Sequence, residues 1–275
     1  MSKKYPSIIW NTTSVRPDKT LQVCEKINYE MSAPERGINM LLAKVHQQAF
    51  TTEVKFTEDD HHRQAPPKLV APIKQARIAF VSDGGLVPKG NPDHLPPLGA
   101  EKYCVYPLPE ESEFNAKHYE VVHQGYEHAY VEADPNRLIP LDIAREAVKR
   151  QALGALDGYF YSTVGVMTKV ERAIEMGKSM AQDMLSRAID AVIISSTCGT
   201  STRCGAHIAC ELEQAGLPVV HVTNLTHISE WIGCSRILKG GNVNYVFGNP
   251  NLSAEREKAF RQKLFFEALD LLTRD

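Results

Sequence analysis

Short apolar runs and amphipathic segments alternate along most of the chain. Ile78-Ala79-Phe80-Val81-Ser82 is apolar without a period of two and stops at Asp83-Gly84-Gly85, as a parallel strand buried on both faces does. Ala191-Val192-Ile193-Ile194-Ser195 and Pro218-Val219-Val220-His221-Val222 read the same way, and Tyr159-Phe160-Tyr161-Ser162-Thr163 is strand-like. Between these runs, residues 141–153, 170–188 and 207–215 carry apolar positions at helical spacing, with Gly154 and Gly216 as stops. A terminal helix over 253–272 places Phe260, Leu264, Ala268 and Leu271 on one side. Strands alternating with helices predict right-handed crossovers and a mostly parallel, Rossmann-like α/β sheet flanked by helices. No internal repeat or low-complexity segment interrupts the pattern.

The first quarter of the chain has a different texture. Ser32-Ala33-Pro34-Glu35 reads as a capping box, followed by Ile38, Leu41, Leu42 and Val45 at helical spacing. This helix should pack one face on something larger. Residues 56–67 are polar and charged and close on Pro66-Pro67, an exposed connection that includes His61 and His62, to which no role is assigned. The expected organisation is a helical N-terminal extension and linker over 1–75 and an α/β domain over 76–275, divisible into halves near 165. Residues 83–138 are rich in Pro, Gly and His, with one strand expected around 119–123; so long an irregular stretch in a compact domain is usually functional.

Composition narrows the function classes. The 275 residues carry a formal net charge of −2 and are 43% hydrophobic and 23% charged, an ordinary globular composition. Near-neutral charge with dispersed Lys and Arg argues against a nucleic-acid binder and against a polybasic membrane patch. No apolar run reaches the length of a membrane span, and no signal-peptide pattern follows Lys3-Lys4, so the expected location is the cytoplasm. In that setting the six cysteines are expected as thiols, with Cys24, Cys104, Cys210 and Cys234 structural.

The loop Ser196-Thr197-Cys198-Gly199-Thr200-Ser201-Thr202-Arg203-Cys204-Gly205 is where chemistry concentrates. Cys198 follows the end of a buried strand and precedes a helix expected to begin near Arg203, in the crevice where open α/β sheets bind ligands. Free backbone N–H groups, the positive end of the helix dipole and Arg203 would all stabilise a thiolate there. Thr200, Ser201 and Thr202 add hydroxyl donors, and Cys204 is a candidate resolving thiol. The bland readings are a packed cysteine or a generic anion cradle. A zinc site from Cys198, Cys204 and His207 lacks a fourth ligand at convincing spacing, so no metal is expected.

Several segments together resemble a known family. Ser82-Asp83-Gly84-Gly85-Leu86-Val87-Pro88-Lys89-Gly90-Asn91-Pro92-Asp93, Asp134-Pro135-Asn136-Arg137, Phe160-Tyr161-Ser162-Thr163-Val164-Gly165 and Ser196–Ala206 resemble, in the same order, motifs of the selenoprotein B component of glycine, sarcosine, betaine and D-proline reductases. The resemblance runs from about Arg77 to the C-terminus. It implies that Cys198 stands where the family carries a selenocysteine nucleophile for reductive cleavage of a carbon–nitrogen bond, with a pyruvoyl group on a separate partner polypeptide. This sequence departs by having cysteine there and Ser201 where the amine reductases have a cysteine, and His123-Gln124-Gly125 differs from the family's glycine-rich version, which leaves the substrate open.

The implied enzyme is a dithiol-dependent oxidoreductase subunit acting on a small amino-acid- or amine-like substrate. Cys198 attacks, and Cys204 or an external thiol releases the intermediate, leaving an oxidised pair for a thiol or thioredoxin-like reductant. Arg203 would hold a substrate carboxylate or the thiolate, and His123 would donate a proton to the leaving group. Asp83 with Gly84 and Gly85, Arg137, Thr163, Thr197, Gly199, Thr200 and Ser201 are the expected substrate contacts. No cofactor intrinsic to the chain is expected, and assembly with copies of itself or with other subunits is. Two competing readings are a two-cysteine racemase or lyase, which wants its thiols facing each other across a substrate, and a non-catalytic partner subunit of a reductase complex.

Overall fold

The computed structural model describes residues 27–51, 53 and 65–274. Cys24, His61, His62 and most of the expected connection lie outside the described residues. The chain forms two units, Met1–Asp60 and His61–Asp275. In the first, α1 (Ala33–Val45) starts where the capping signal places it, with Ser32 Oγ accepting from the Glu35 N–H. No residue of α1 is buried, and Ile38, Leu41, Leu42 and Val45 are all exposed, so the apolar face expected to pack is uncovered.

The second unit begins earlier than the linker reading places it. Leu69 and Ile73 pack on its core, and the Gly154 N–H donates to Ile73 O at 3.0 Å. Its elements are β1 (Arg77–Ser82), β2 (Leu86–Pro88), β3 (Cys104–Pro107), β4 (Tyr119–Val121), α2 (Ala129–Ala133), a 3-10 turn (Pro135–Arg137), α3 (Leu141–Lys149) and β5 (Ala155–Ser162). There follow α4 (Val170–Ser186), β6 (Ala191–Ser196), α5 (Gly199–Gln214), β7 (Val219–Thr223), α6 (Thr226–Ile232), β8 (Ile237–Lys239) and α7 (Ala254–Thr273).

Six strands make one sheet in the order β3-β5-β1-β6-β7-β8, with β3 antiparallel and the other five parallel. β2 and β4 form a separate antiparallel pair. Both faces of the sheet are buried, and successive residues serve opposite layers. Ile78 and Phe80 of β1 and Ile193 of β6 join the core beneath α3 and α7, which contribute Leu141 and Phe265. Ala79, Val81, Val192 and Ile194 face the other way, against Met180 of α4 and Ile208 of α5. This is the expected Rossmann-like α/β architecture, and because β1 sits between β5 and β6, the two halves of the domain share a single sheet.

Taken in chain order, the five parallel strands lie 2-1-3-4-5. The winding direction therefore reverses between β1 and β6, and the carboxyl ends of those two strands open the crevice where doubly wound sheets bind ligands. Asp83 follows β1 and Cys198 follows β6.

Candidate active site

Cys198 is the N-cap residue of α5, and the helix begins at once at Gly199, not near Arg203. Gly199, Thr200, Ser201 and Thr202 are modest helix formers, so local propensity does not mark this start. Packing overrides it: the next two turns bury Cys204, Ala206, Ile208, Ala209 and Leu212. The Thr202 N–H donates to Cys198 O at 2.8 Å, closing the first turn. The thiol makes no cap bond to the helix, so it sits half-buried at the end where backbone N–H groups lack intrahelical partners and the dipole is positive.

Ser201, three residues on, turns its hydroxyl back towards the thiol. Its Oγ is 3.3 Å from Cys198 Sγ and 2.8 Å from His123 Nε2, while Thr200 Oγ1 is 3.7 Å from the same sulfur. The Gly125 N–H donates to His123 Nδ1 at 3.0 Å, which assigns the ring proton to Nε2. His123 Nε2–H then donates to Ser201 Oγ, and the Ser201 hydrogen is directed at Cys198. Burial, with a smaller push from His128, lowers His123 to about 4, so the ring is neutral near pH 7.

Three glycines let backbone close around this line. A Cβ on Gly125 would stand 2.8 Å from His123 Cε1 and 3.0 Å from Cys198 Sγ, and one on Gly165 would stand 2.6 Å from Ser201 Cα. Gly85, at φ 73°, takes a left-handed turn that brings its carbonyl to the Val122 N–H at 2.9 Å. Tyr126 rests on His123, with ring centroids 4.8 Å apart, and donates its hydroxyl to Gly84 O at 3.0 Å. Beside Gly199 a Cβ would lie 3.7 Å from Ile228 Cδ1 and 3.8 Å from Leu225 Cδ1, in ordinary van der Waals contact with the α6 segment.

Asp83 lies fully buried on the α5 side of the sheet, where its Oδ2 accepts from Ser196 Oγ. Burial holds its carboxyl well above the ordinary carboxylate range; Ser196 and the nearby amides of Thr197 and Gly205 oppose that rise without reversing it. Asp83 Oδ1 and Thr197 Oγ1 are buried with no hydrogen-bond partner of ordinary geometry among the described residues.

Residues 20–197 match the family model described as glycine/sarcosine/betaine reductase selenoprotein B. The chain belongs to that family. A glycine reductase complex component B subunit gamma from Carboxydothermus hydrogenoformans is 38% identical over 261 residues, covering 94% of this chain and 60% of that protein. The sarcosine and betaine reductase complex component B subunits beta from Peptoclostridium acidaminophilum are each 35% identical, over 89% and 88% of this chain. The chain spans between about half and three-fifths of the length of these relatives. No solved structure matches it.

Within this selenoprotein B family member, the remaining expected residues divide sharply. Gly84 meets Thr197, with a Cβ there 3.2 Å from Thr197 Cγ2, so the Asp83 turn, His123 and the Cys198 loop share one place. Arg203 reaches sideways to Thr168 O at 3.0 Å, and its Nε is buried with no hydrogen-bond partner among the described residues. Thr163 is fully buried and donates to Lys102 O, inside the core. Arg137 is engaged elsewhere: Nε and Nη2 grip Glu257 at 2.8 and 2.9 Å, and Nη1 donates to Tyr130 O. Cys204 is not brought to Cys198; it joins the α4–α5 core, and burial pushes its thiol well up. No group of three or more potential metal ligands occurs among the described residues. Sequence alone assigns no role to Tyr126 or His221, of which His221, a polar residue inside an apolar strand, carries a local signal; Ser196 stands in the Cys198 loop without a role of its own.

Proposed function

We propose that this chain is the nucleophile-bearing part of a reductase complex subunit, in which Cys198 attacks an electrophilic carbon of a small amine- or amino-acid-like molecule. The observation that carries this reading is the Ser201 hydroxyl, placed between His123 Nε2 and Cys198 Sγ at the start of α5. A hydroxyl donor, free first-turn N–H groups and a positive helix end all favour negative charge on that sulfur. The relatives' names, component B of glycine, sarcosine and betaine reductase complexes, supply the reaction class.

The balance of the reaction assigns roles. The Cys198 thiolate forms a carbon–sulfur bond as the carbon–nitrogen bond breaks, and the departing nitrogen takes a proton. His123 is neutral, so its part is to hold Ser201 as donor, and the proton comes from solvent. A second thiol then attacks sulfur, the carbon leaves with a proton and the electron pair, and a disulfide remains for an external reductant. Cys204, in the core, is poorly placed for that second step, so the thiol is external. A pyruvoyl group on a partner polypeptide would draw electrons from the substrate nitrogen.

The test is covalent trapping. Reduced protein is incubated with carbon-labelled glycine, sarcosine or betaine, together with a component B partner subunit, and Cys198 is examined by mass spectrometry. A labelled adduct on Cys198, absent from Cys198→Ser, is expected. Amine release that survives Cys198→Ser would refute the reading.

A further inference from the structure

On the face of the sheet that meets α5, a second polar chain links three strands. Ser196 Oγ lies between Asp83 Oδ2 and His221 Nε2, the latter at 2.7 Å, and His221 Nδ1 lies 2.8 Å from Ser229 Oγ. Asp83 follows β1, Ser196 ends β6, His221 sits within β7 and Ser229 within α6. All four side chains are inaccessible to solvent, Ser196, Asp83, His221 and Ser229 each at 0% exposure.

We propose that Ser196 and His221 are positioning residues for Cys198, holding the β6–α5 turn through Asp83; this rests on the Cys198 reading above. Ser196 is two residues before Cys198, so a hydrogen bond that fixes its side chain also fixes the strand end from which the nucleophile leaves. The chain also seats α5. A Cβ on Gly205 would fall 2.1 Å from Ser196 Oγ, 2.5 Å from Asp83 Oδ2 and 3.0 Å from His221 Nε2, so the helix backbone rests directly on these three polar groups. Five elements thus meet at one buried point, and the helix they pin carries Cys198 and Ser201 on its first turn.

The hydrogen bonds close in one direction. Ser229 O–H donates to His221 Nδ1, His221 Nε2–H to Ser196 Oγ, and Ser196 O–H to Asp83 Oδ2. Ser196 is bonded to both Asp83 and His221, so its loss takes a hydrogen bond from a buried carboxyl and from a buried imidazole together. Cys234 Sγ, 3.7 Å from His221 Nδ1, closes the far end against α6.

The test compares His221→Gln, His221→Leu and Ser196→Ala with the parent protein by two readouts. One is the rate of Cys198 alkylation by iodoacetamide, and the other is hydrogen–deuterium exchange of backbone amides over 196–201. His221→Gln, which keeps a donor towards Ser196, should stay within about threefold of the parent on both. His221→Leu and Ser196→Ala should slow alkylation by roughly tenfold or more and speed exchange, with a cooperative melt retained. If His221→Leu does not fold, Ser196→Ala decides. Parent-like alkylation and exchange in Ser196→Ala, or a His221→Gln as impaired as His221→Leu, overturns the proposal. If Cys198 of the parent is itself unreactive, the nucleophile reading fails, and exchange alone then decides positioning.

Discussion

The Ser201 hydroxyl lies 3.3 Å from Cys198 Sγ, at the third residue of the helix that Cys198 caps. Its oxygen is already occupied by His123 Nε2–H at 2.8 Å, so the hydroxyl hydrogen has one good acceptor, the sulfur. Ser201→Ala removes that donor and leaves the helix start intact. A lost hydrogen bond to a charged acceptor is worth about 1.5–3 kcal/mol. Alkylation of Cys198 by iodoacetamide at pH 7 should therefore slow by about tenfold or more, measured by quantitative mass spectrometry. Ser201→Thr, which keeps the hydroxyl, should recover most of the rate.

Gly125 brings its backbone against both members of the pair. Alanine there places a methyl 2.8 Å from His123 Cε1 and Val166 Cγ2 and 3.0 Å from Cys198 Sγ. Overpacking of this kind costs about 1–3 kcal/mol. Gly125→Ala should lower stability by that order in urea unfolding. It should also reduce Cys198 alkylation more than Gly158→Ala does, a glycine with nothing within 4 Å of its Cβ position.

The two depressed histidines set an acid limit. His123 is lowered to about 4 and His221 to about 3, both by burial, against an ordinary value near 6.5. Below pH 6.5 the unfolded chain takes up these protons and the fold refuses them, so stability falls with pH until each folded-state value is reached. For His123 alone the full loss between pH 6.5 and 4 is about 3 kcal/mol. Urea unfolding of the parent and of His123→Gln at pH 7, 5.5 and 4.5 should show the parent losing stability faster on acidification. Parallel curves would contradict the assignment.

Arg261 of α7 is buried between two carboxylates, donating to Asp142 Oδ2 at 2.6 Å and to Asp134. Even so, burial outweighs the guanidinium and keeps Asp142 raised. Removing one partner of a buried pair typically costs about 3–5 kcal/mol because the other charge is left unpaired. Arg261→Met should lose stability on that scale in chemical denaturation, and adding Asp142→Asn should restore part of it.

How much was legible follows from the kind of signal each residue carries. β1 and β6 are readable as apolar runs, β7 as one interrupted by His221, and α4 and α7 as stripes at helical spacing, because burial on both faces or on one stripe imprints a local pattern. The short edge strands β3 and β8 and the seven-residue α6 carry too few residues to do so. The start of α5 is hidden because its first residues are Gly, Thr and Ser, and a later start makes Cys204 look like a neighbour of Cys198. Cys204, Ile208 and Leu212, at i, i+4 and i+8, in fact form one buried stripe, and that spacing was present in the sequence. Arg137 was assigned to substrate because nothing near it in the chain announces Glu257, 120 residues away. Ser201 reads in the sequence as a missing thiol, while its bond to His123, 78 residues earlier, needs the fold.

The most direct measurement is the rate at which iodoacetamide, in limiting amount at pH 7, alkylates each cysteine of the reduced, native protein. Cys198 should react at least about tenfold faster than N-acetylcysteine under the same conditions and well ahead of the buried Cys104, Cys204 and Cys210. A Cys198 that reacts no faster than N-acetylcysteine would contradict the account.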